Sequence, residues 1–289
     1  MGPAAAKRAP RYNHAATEEL VLIIDFHTHA FPDAVAGGAL QILAQRAGIA
    51  PVYDGTVQGL RGAMRRSGVT LSVVQPVASK VSQVRAINDW AAEISHDEVI
   101  AFGSVHPDFT DLDAELGRLV GLGLRGIKLH PEYQEFFPDD ERMDAVYAAA
   151  AKWHLIVLFH AGEDVGLPTV RSTPAAFASV LDRFPDLTVV LAHMGGWRQW
   201  DEVVRLLAGR DVYLETSFTP SYLDGPKLCR LVEAHGYEKV LFGSDGPWAD
   251  AAAEVERLRG LGLPGDALEA ILWRNAARLL KLPAQAQTP

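Results

Sequence analysis

A single cysteine, Cys229, stands in the whole sequence, which excludes an intramolecular disulfide and fits a reducing, cytoplasmic setting. Its surroundings, Lys227-Leu-Cys-Arg-Leu-Val, have the pattern of a helix and read as packing for a structural thiol. No apolar run is long enough to span a bilayer, so no membrane partner is expected. Basic residues are in deficit: 27 Lys and Arg face 36 Asp and Glu, for a formal charge of −9. No basic stripe appears, and a general nucleic-acid binder is excluded. Residues 1–20 lack the apolar segment of a signal peptide and are expected to form a flexible extension. Also missing are a long internal repeat, a linker that would split the chain, and a Gly-x-Gly-x-x-Gly turn after the first apolar run. What remains is 48% hydrophobic with mean hydropathy +0.04, which suits one domain over residues 21–289.

After residue 20 the chain alternates between short β-branched runs and amphipathic segments with helical spacing. The expected strands are Val21–His29, Leu71–Val77, Val99–His106, Leu124–His130, Leu155–His160, Leu187–His193, Val212–Ser217 and Val240–Asp245. Helices are expected between them, with a last one over Asp266–Leu280; Ser172 and Asp266 are candidate N-caps. Several strands are apolar almost throughout, as parallel strands covered on both faces must be. Eight such units predict an α/β fold, a (β/α)8 TIM barrel. The longest connection, Ala30 to Thr56, is expected to carry a short helix over Ala39–Ala47 and to act as a lid.

In such barrels the chemistry sits at the C-terminal ends of the strands. Here those ends carry His27 and His29, then Lys128 and His130, then His160, His193 and Asp245. His27 and His29 are spaced i, i+2 and project to one side of their strand. A lone histidine at a strand end more often makes a structural hydrogen bond, and Asp245 before Gly-Pro would suit a turn. Five of the ten histidines converging with a lysine and an aspartate on one barrel mouth point instead to a metal site. Imidazoles and a carboxylate suit zinc, and also iron, manganese or cobalt.

This series of strand ends resembles the amidohydrolase superfamily. The wording Gly126-Ile-Lys-Leu-His-Pro, Phe159-His-Ala-Gly, His193-Met-Gly-Gly and Phe242-Gly-Ser-Asp-Gly-Pro is similar to its amidohydrolase-related branch, which includes aminocarboxymuconate-semialdehyde decarboxylase-like enzymes. The resemblance implies metal ligands at His27, His29, Lys128, His160, His193 and Asp245, with Asp245 and His193 also catalytic. His193 would bind a second ion or stand beside metal-bound water. Lys128 would act as a ligand only once carbamylated or deprotonated, so one divalent ion, expected as Zn2+, becomes two if Lys128 is carbamylated. His130 departs from the pattern as an extra histidine at the same mouth.

The expected activity is hydrolysis of an amide, ester or lactone in a small organic molecule by metal-activated water, with Asp245 as general base. The alternative on the same site is non-oxidative decarboxylation of an aromatic or muconate-type acid. The expected substrate contacts are His130, Arg171, Trp197, Arg198 and Trp248, with Arg171 and Arg198 as carboxylate anchors. Tyr133, Gln134, Phe137, Phe218 and Tyr222 are further candidates for the rim. Barrels often pair, and no stripe in the sequence decides for or against a homodimer.

Overall fold

A computed structural model describes residues 22–282; the expected extension, residues 1–20, lies outside them. All eight strands are present: β1 (Ile24–Thr28), β2 (Leu71–Val74), β3 (Val99–Ala101), β4 (Gly126–Leu129), β5 (Ile156–Phe159), β6 (Val189–Leu191), β7 (Tyr213–Glu215) and β8 (Val240–Leu241). They pair in parallel as two arcs, β1-β2-β3 and β4-β5-β6-β7-β8. Two seams join the arcs into a closed barrel. At one seam Gly103 N donates to Gly126 O at 2.8 Å and Lys128 N to Gly103 O at 2.8 Å. At the other, Phe26 N donates to Phe242 O and Asp245 N to His27 O, both at 2.8 Å.

The helices among the described residues are α1 (Asp33–Ala47), α2 (Val57–Ser67), α3 (Val84–Ile94), α4 (Leu112–Gly121), α5 (Pro131–Gln134), α6 (Asp144–Lys152), α7 (Pro174–Arg183), α8 (Trp200–Leu206), α9 (Gly225–His235), α10 (Ala251–Arg259), α11 (Gly265–Glu269) and α12 (Asn275–Leu279). Strand alternation divides the core in two. Val157 and Phe159 of β5 pack outward with Leu116, Tyr147 and Phe177 of the helices. Ile156 and Leu158 turn inward with Phe26, Phe102 and Leu241, and Ala276, Ala277 and Leu280 join this inner cluster.

Three expectations are corrected. Residues expected as one helix, Asp266–Leu280, contain a π-turn at Ala270–Arg274. The widened turn frees the Ile271 carbonyl to accept from Phe242 N at 2.9 Å, which ties the helix to the end of β8. The cap of α7 is Thr173, because Ser172 is occupied by Glu132 and the Gly162 carbonyl. Asp266 lies inside the first turn of α11, behind Pro264. No helix of the described residues is long and apolar enough to cross a membrane.

Candidate metal centre

The site begins with an irregularity in β1. Asp25 pairs with Ser72 but Thr28 pairs with Val74, so β1 spends three residues where β2 spends two. Such a bulge re-aims side chains. Asp25 and Thr28 face a small cavity shared with Leu60 and Met64 of α2, while Phe26 packs inside the barrel. His27 and His29 both reach the barrel mouth. Gly243 allows this crowding: a Cβ there would strike His27 Cβ and the Glu215 carboxylate.

His27 Nε2 lies 3.2 Å from His29 Nε2, and Asp245 Oδ1 lies 3.1 Å from His29 Nε2 and 3.6 Å from His27 Nε2. Donors around one tetrahedral ion with bonds of about 2.1 Å stand about 3.4 Å apart, so the trio fits a metal. The opposite ring nitrogens are anchored. His27 Nδ1 meets Glu215 Oε1 at 2.8 Å, and His29 Nδ1 meets the Gln75 carbonyl at 3.0 Å. A donating Nδ1–H leaves each Nε2 lone pair free toward the trio. Burial, with the nearby Lys128 charge, holds His27 well below the usual imidazole range, and neutral rings are what ligation needs.

His160 and His193 form a second, separate pair, with His193 Nε2 3.1 Å from His160 Nδ1. His193 Nδ1 is held by the Ser217 carbonyl at 3.0 Å. Lys128 is buried, with Nζ 3.2 Å from His27 Nε2. Burial pushes its ammonium toward the neutral amine against the pull of Glu215 and Asp245. His130 stacks between Tyr133 and His160, with centroids at 3.8 and 4.2 Å. His130, His160 and Asp164 thus form another group with donor atoms close together. The two rings are only 8° from parallel, however, so their lone pairs run side by side and converge poorly on one ion.

Reading the sequence missed Glu215. Fully buried at the end of β7, it accepts from Ser217 N and Ser217 Oγ, both at 2.7 Å, and from His193 N at 3.2 Å, besides meeting His27. One carboxylate therefore orients parts of both histidine groups. Asp164, Gln75 and Ser217 were missed as well.

Above the donors lies a cavity of about 740 Å³. His130, Tyr133, Trp197, Phe218 and Trp248 line it; Phe137 and Tyr222 are not among its lining residues. Trp197 arrives because the loop after β6 crosses the loop after β5 at Gly162, where a Cβ would collide with the Trp197 backbone. Trp197 Nε1 is buried and has no partner among the described residues. Neither expected anchor lines the cavity. The Arg198 guanidinium lies over the outer face of Trp197 at 4.2 Å and pairs with Glu163 at 3.4 Å. Arg171 bonds Thr169 and lies over Phe137. Gln134 turns inward instead, tying His130 N to the carbonyls of Ala78 and Val105.

Residues 24–282 match the family described as amidohydrolase. The chain is 26% identical to the decarboxylase orsB of Emericella nidulans, over 81% of this chain and 92% of that protein. It is similar in fold to the 5-carboxyvanillate decarboxylase LigW of Sphingomonas paucimobilis, at 18% identity and TM-score 0.69, covering 91% of this chain and 100% of that one. The corresponding enzyme of Novosphingobium aromaticivorans, solved with manganese and 4-hydroxy-3-methoxy-5-nitrobenzoic acid, gives 16% identity and TM-score 0.69 over 90% of this chain and 96% of that one.

Proposed function

The chain belongs to the amidohydrolase family, and from that premise we propose that it is a metal-dependent, non-oxidative decarboxylase of a small aromatic acid. The decarboxylases among its relatives support this alternative over hydrolysis, the sequence's first reading. The observation that carries it is a metal-fitting trio, His27, His29 and Asp245, at the floor of a cavity walled by Tyr133, Trp197, Phe218 and Trp248. Flat aromatic faces suit a flat ring, and the floor suits its carboxylate. Zinc was expected; the manganese of the Novosphingobium relative makes that ion an equal candidate, and two imidazoles with a carboxylate accept either.

When bound, the ion supplies positive charge that orients the substrate carboxylate and steadies developing negative charge. The chain's residues handle the proton. Loss of carbon dioxide leaves the electron pair of the broken carbon–carbon bond on the ring, and a proton must take the vacated position. Asp245 faces the cavity, where its carboxylate would take up a proton from solvent and pass it to the ring carbon. His193, fixed through Nδ1 and lining the same cavity, is the second proton carrier. Trp197 Nε1 offers a buried donor to a substrate oxygen.

Asp245→Asn should lower carbon dioxide release from a panel of hydroxybenzoic acids by about a thousandfold, within the range for loss of a general acid. Unchanged release would overturn the assignment. One observation favours hydrolysis as a second reading: the His160–His193 pair stands apart from the trio, with the buried Lys128, its ammonium pushed down to about 8 by burial, beside His27. Two ions per chain, a Lys128 carrying the added mass of carbon dioxide, and amide or lactone cleavage without decarboxylation would decide for it.

A further inference from the structure

The cavity is far larger than a ring acid needs. A benzoic acid with two small substituents fills on the order of 200 Å³, less than the smallest typical ligand pockets of roughly 300 Å³, so most of the 740 Å³ is left over. The surplus extends outward between α1 and α3. Its α1 wall is built from Val35, Ala39, Ile42 and Leu43, and its α3 wall from Ile87 and Trp90. These are aliphatic side chains and one indole. No arginine lines any part of the cavity, and its one lysine, Lys128, lies at the floor. Ser79, Ser82 and Gln83 also line it, around the exposed start of α3. Val35 and Ile42 are 53% and 59% exposed, although they belong to the cavity wall. Water gains little along such a wall, where few polar partners can hold it.

We propose that this channel receives an aliphatic chain of about four to eight carbons carried by the aromatic acid, so that the preferred substrate is an alkyl-substituted hydroxybenzoate. The proposal rests on the decarboxylase reading for the ring and carboxylate end. The chain end rests on three observations: the channel is continuous with the donor floor, its wall is apolar on both sides, and it lacks the cations a second carboxylate or a phosphate would require.

The test uses 2-hydroxybenzoates bearing straight alkyl chains of one to eight carbons at the 4- or 6-position. Dissociation constants are measured by calorimetry on metal-loaded and metal-free protein, beside carbon dioxide release. The expected result is binding about fourfold tighter per added methylene, levelling off once the channel is full. Ala39→Trp and, independently from the opposite wall, Ile87→Gln should each cut the octyl-to-methyl affinity ratio at least tenfold. Affinity that ignores chain length while carbon dioxide is still released overturns the channel and leaves the decarboxylase reading standing. A chain-length series that persists with no release from any acid does the reverse. A ratio that survives in both variants means that the chain binds elsewhere and also overturns the proposal.

Discussion

The two helices that wall the outer cavity are held in opposite ways. α3 buries Val84, Asn88, Ala91 and Ile94. Its Asn88 is fully buried: the side chain donates to Glu115 Oε1 at 2.8 Å and accepts from Ser104 N at 2.8 Å. Ser104 Oγ in turn donates to the Lys128 carbonyl at 2.9 Å, so α3 is wired to the strand that carries Lys128. α1 is four residues longer, yet buries only Ala36 and Leu40. The Ala30–Thr56 connection that carries α1 is pinned near its two ends, by Phe31 N to Gly55 O at 2.8 Å, Tyr53 Oη to His29 O at 2.7 Å and Val52 N to Pro247 O at 2.8 Å. Gly37 and Gly38 sit mid-helix where an added Cβ would meet nothing, so packing does not demand glycine there. Each weakens the helix by about 1 kcal/mol relative to alanine. One wall is therefore a fixed reference and the other is built to give way.

Three experiments would break or sharpen that contrast. Asn88→Leu strands the Ser104 N–H and removes one donor from the Glu115 carboxylate, which keeps Arg118, at a cost of about 2 kcal/mol. It should shift the midpoint of chemical denaturation, and a variant as stable as the parent would remove the claim that this side chain anchors α3. Acid should attack the same wall more mildly. Burial raises the Glu115 carboxyl, but the hydrogen bonds from Arg118 and Asn88 outweigh it and leave the group below its ordinary value. A carboxyl depressed in the folded state stabilises above its unfolded pKa, about 4.5, and that contribution disappears as pH falls through the folded value. Glu115→Gln should therefore flatten the fall in stability below pH 4.5, by on the order of 1 kcal/mol. If both proteins lose stability in parallel, Glu115 is not a source of the acid sensitivity. The smallest global effect belongs to Gly37→Ala with Gly38→Ala. Amide exchange within α1 should slow by about fivefold per substitution, with the global midpoint nearly unchanged. Exchange that does not slow would mean that α1 opens only when the whole barrel does.

The ends of the strands were the legible part of this sequence. His27, His29, Lys128, His160, His193 and Asp245 all lie at the expected mouth, because parallel strands fix where their C-terminal ends go. Glu215 was hidden by the same regularity: one acid after Tyr213-Leu214 carries no metal-ligand spacing in the sequence, and besides Ser217 its partners come from the ends of β1 and β6. The arginines misled because a long side chain in a loop finds a near neighbour first, Glu163 for Arg198 and Thr169 for Arg171. α1 was expected only over Ala39–Ala47; it starts at Asp33 and runs through Gly37 and Gly38, both poor helix formers.

The seams of the barrel carry a kinetic meaning. His27 and His29 belong to the three-strand arc, while Lys128, His160, His193 and Asp245 belong to the five-strand arc. His29 and Asp245 stand 216 residues apart along the chain. Neither arc, however well formed, contains the donor trio. Loops of that length are slow to close, and their closure is repaid only by contacts made afterwards. Assembly of the trio thus waits on one seam in particular, that between β8 and β1, and a chain caught with that seam open holds His27 and His29 on one arc and Asp245 on the other.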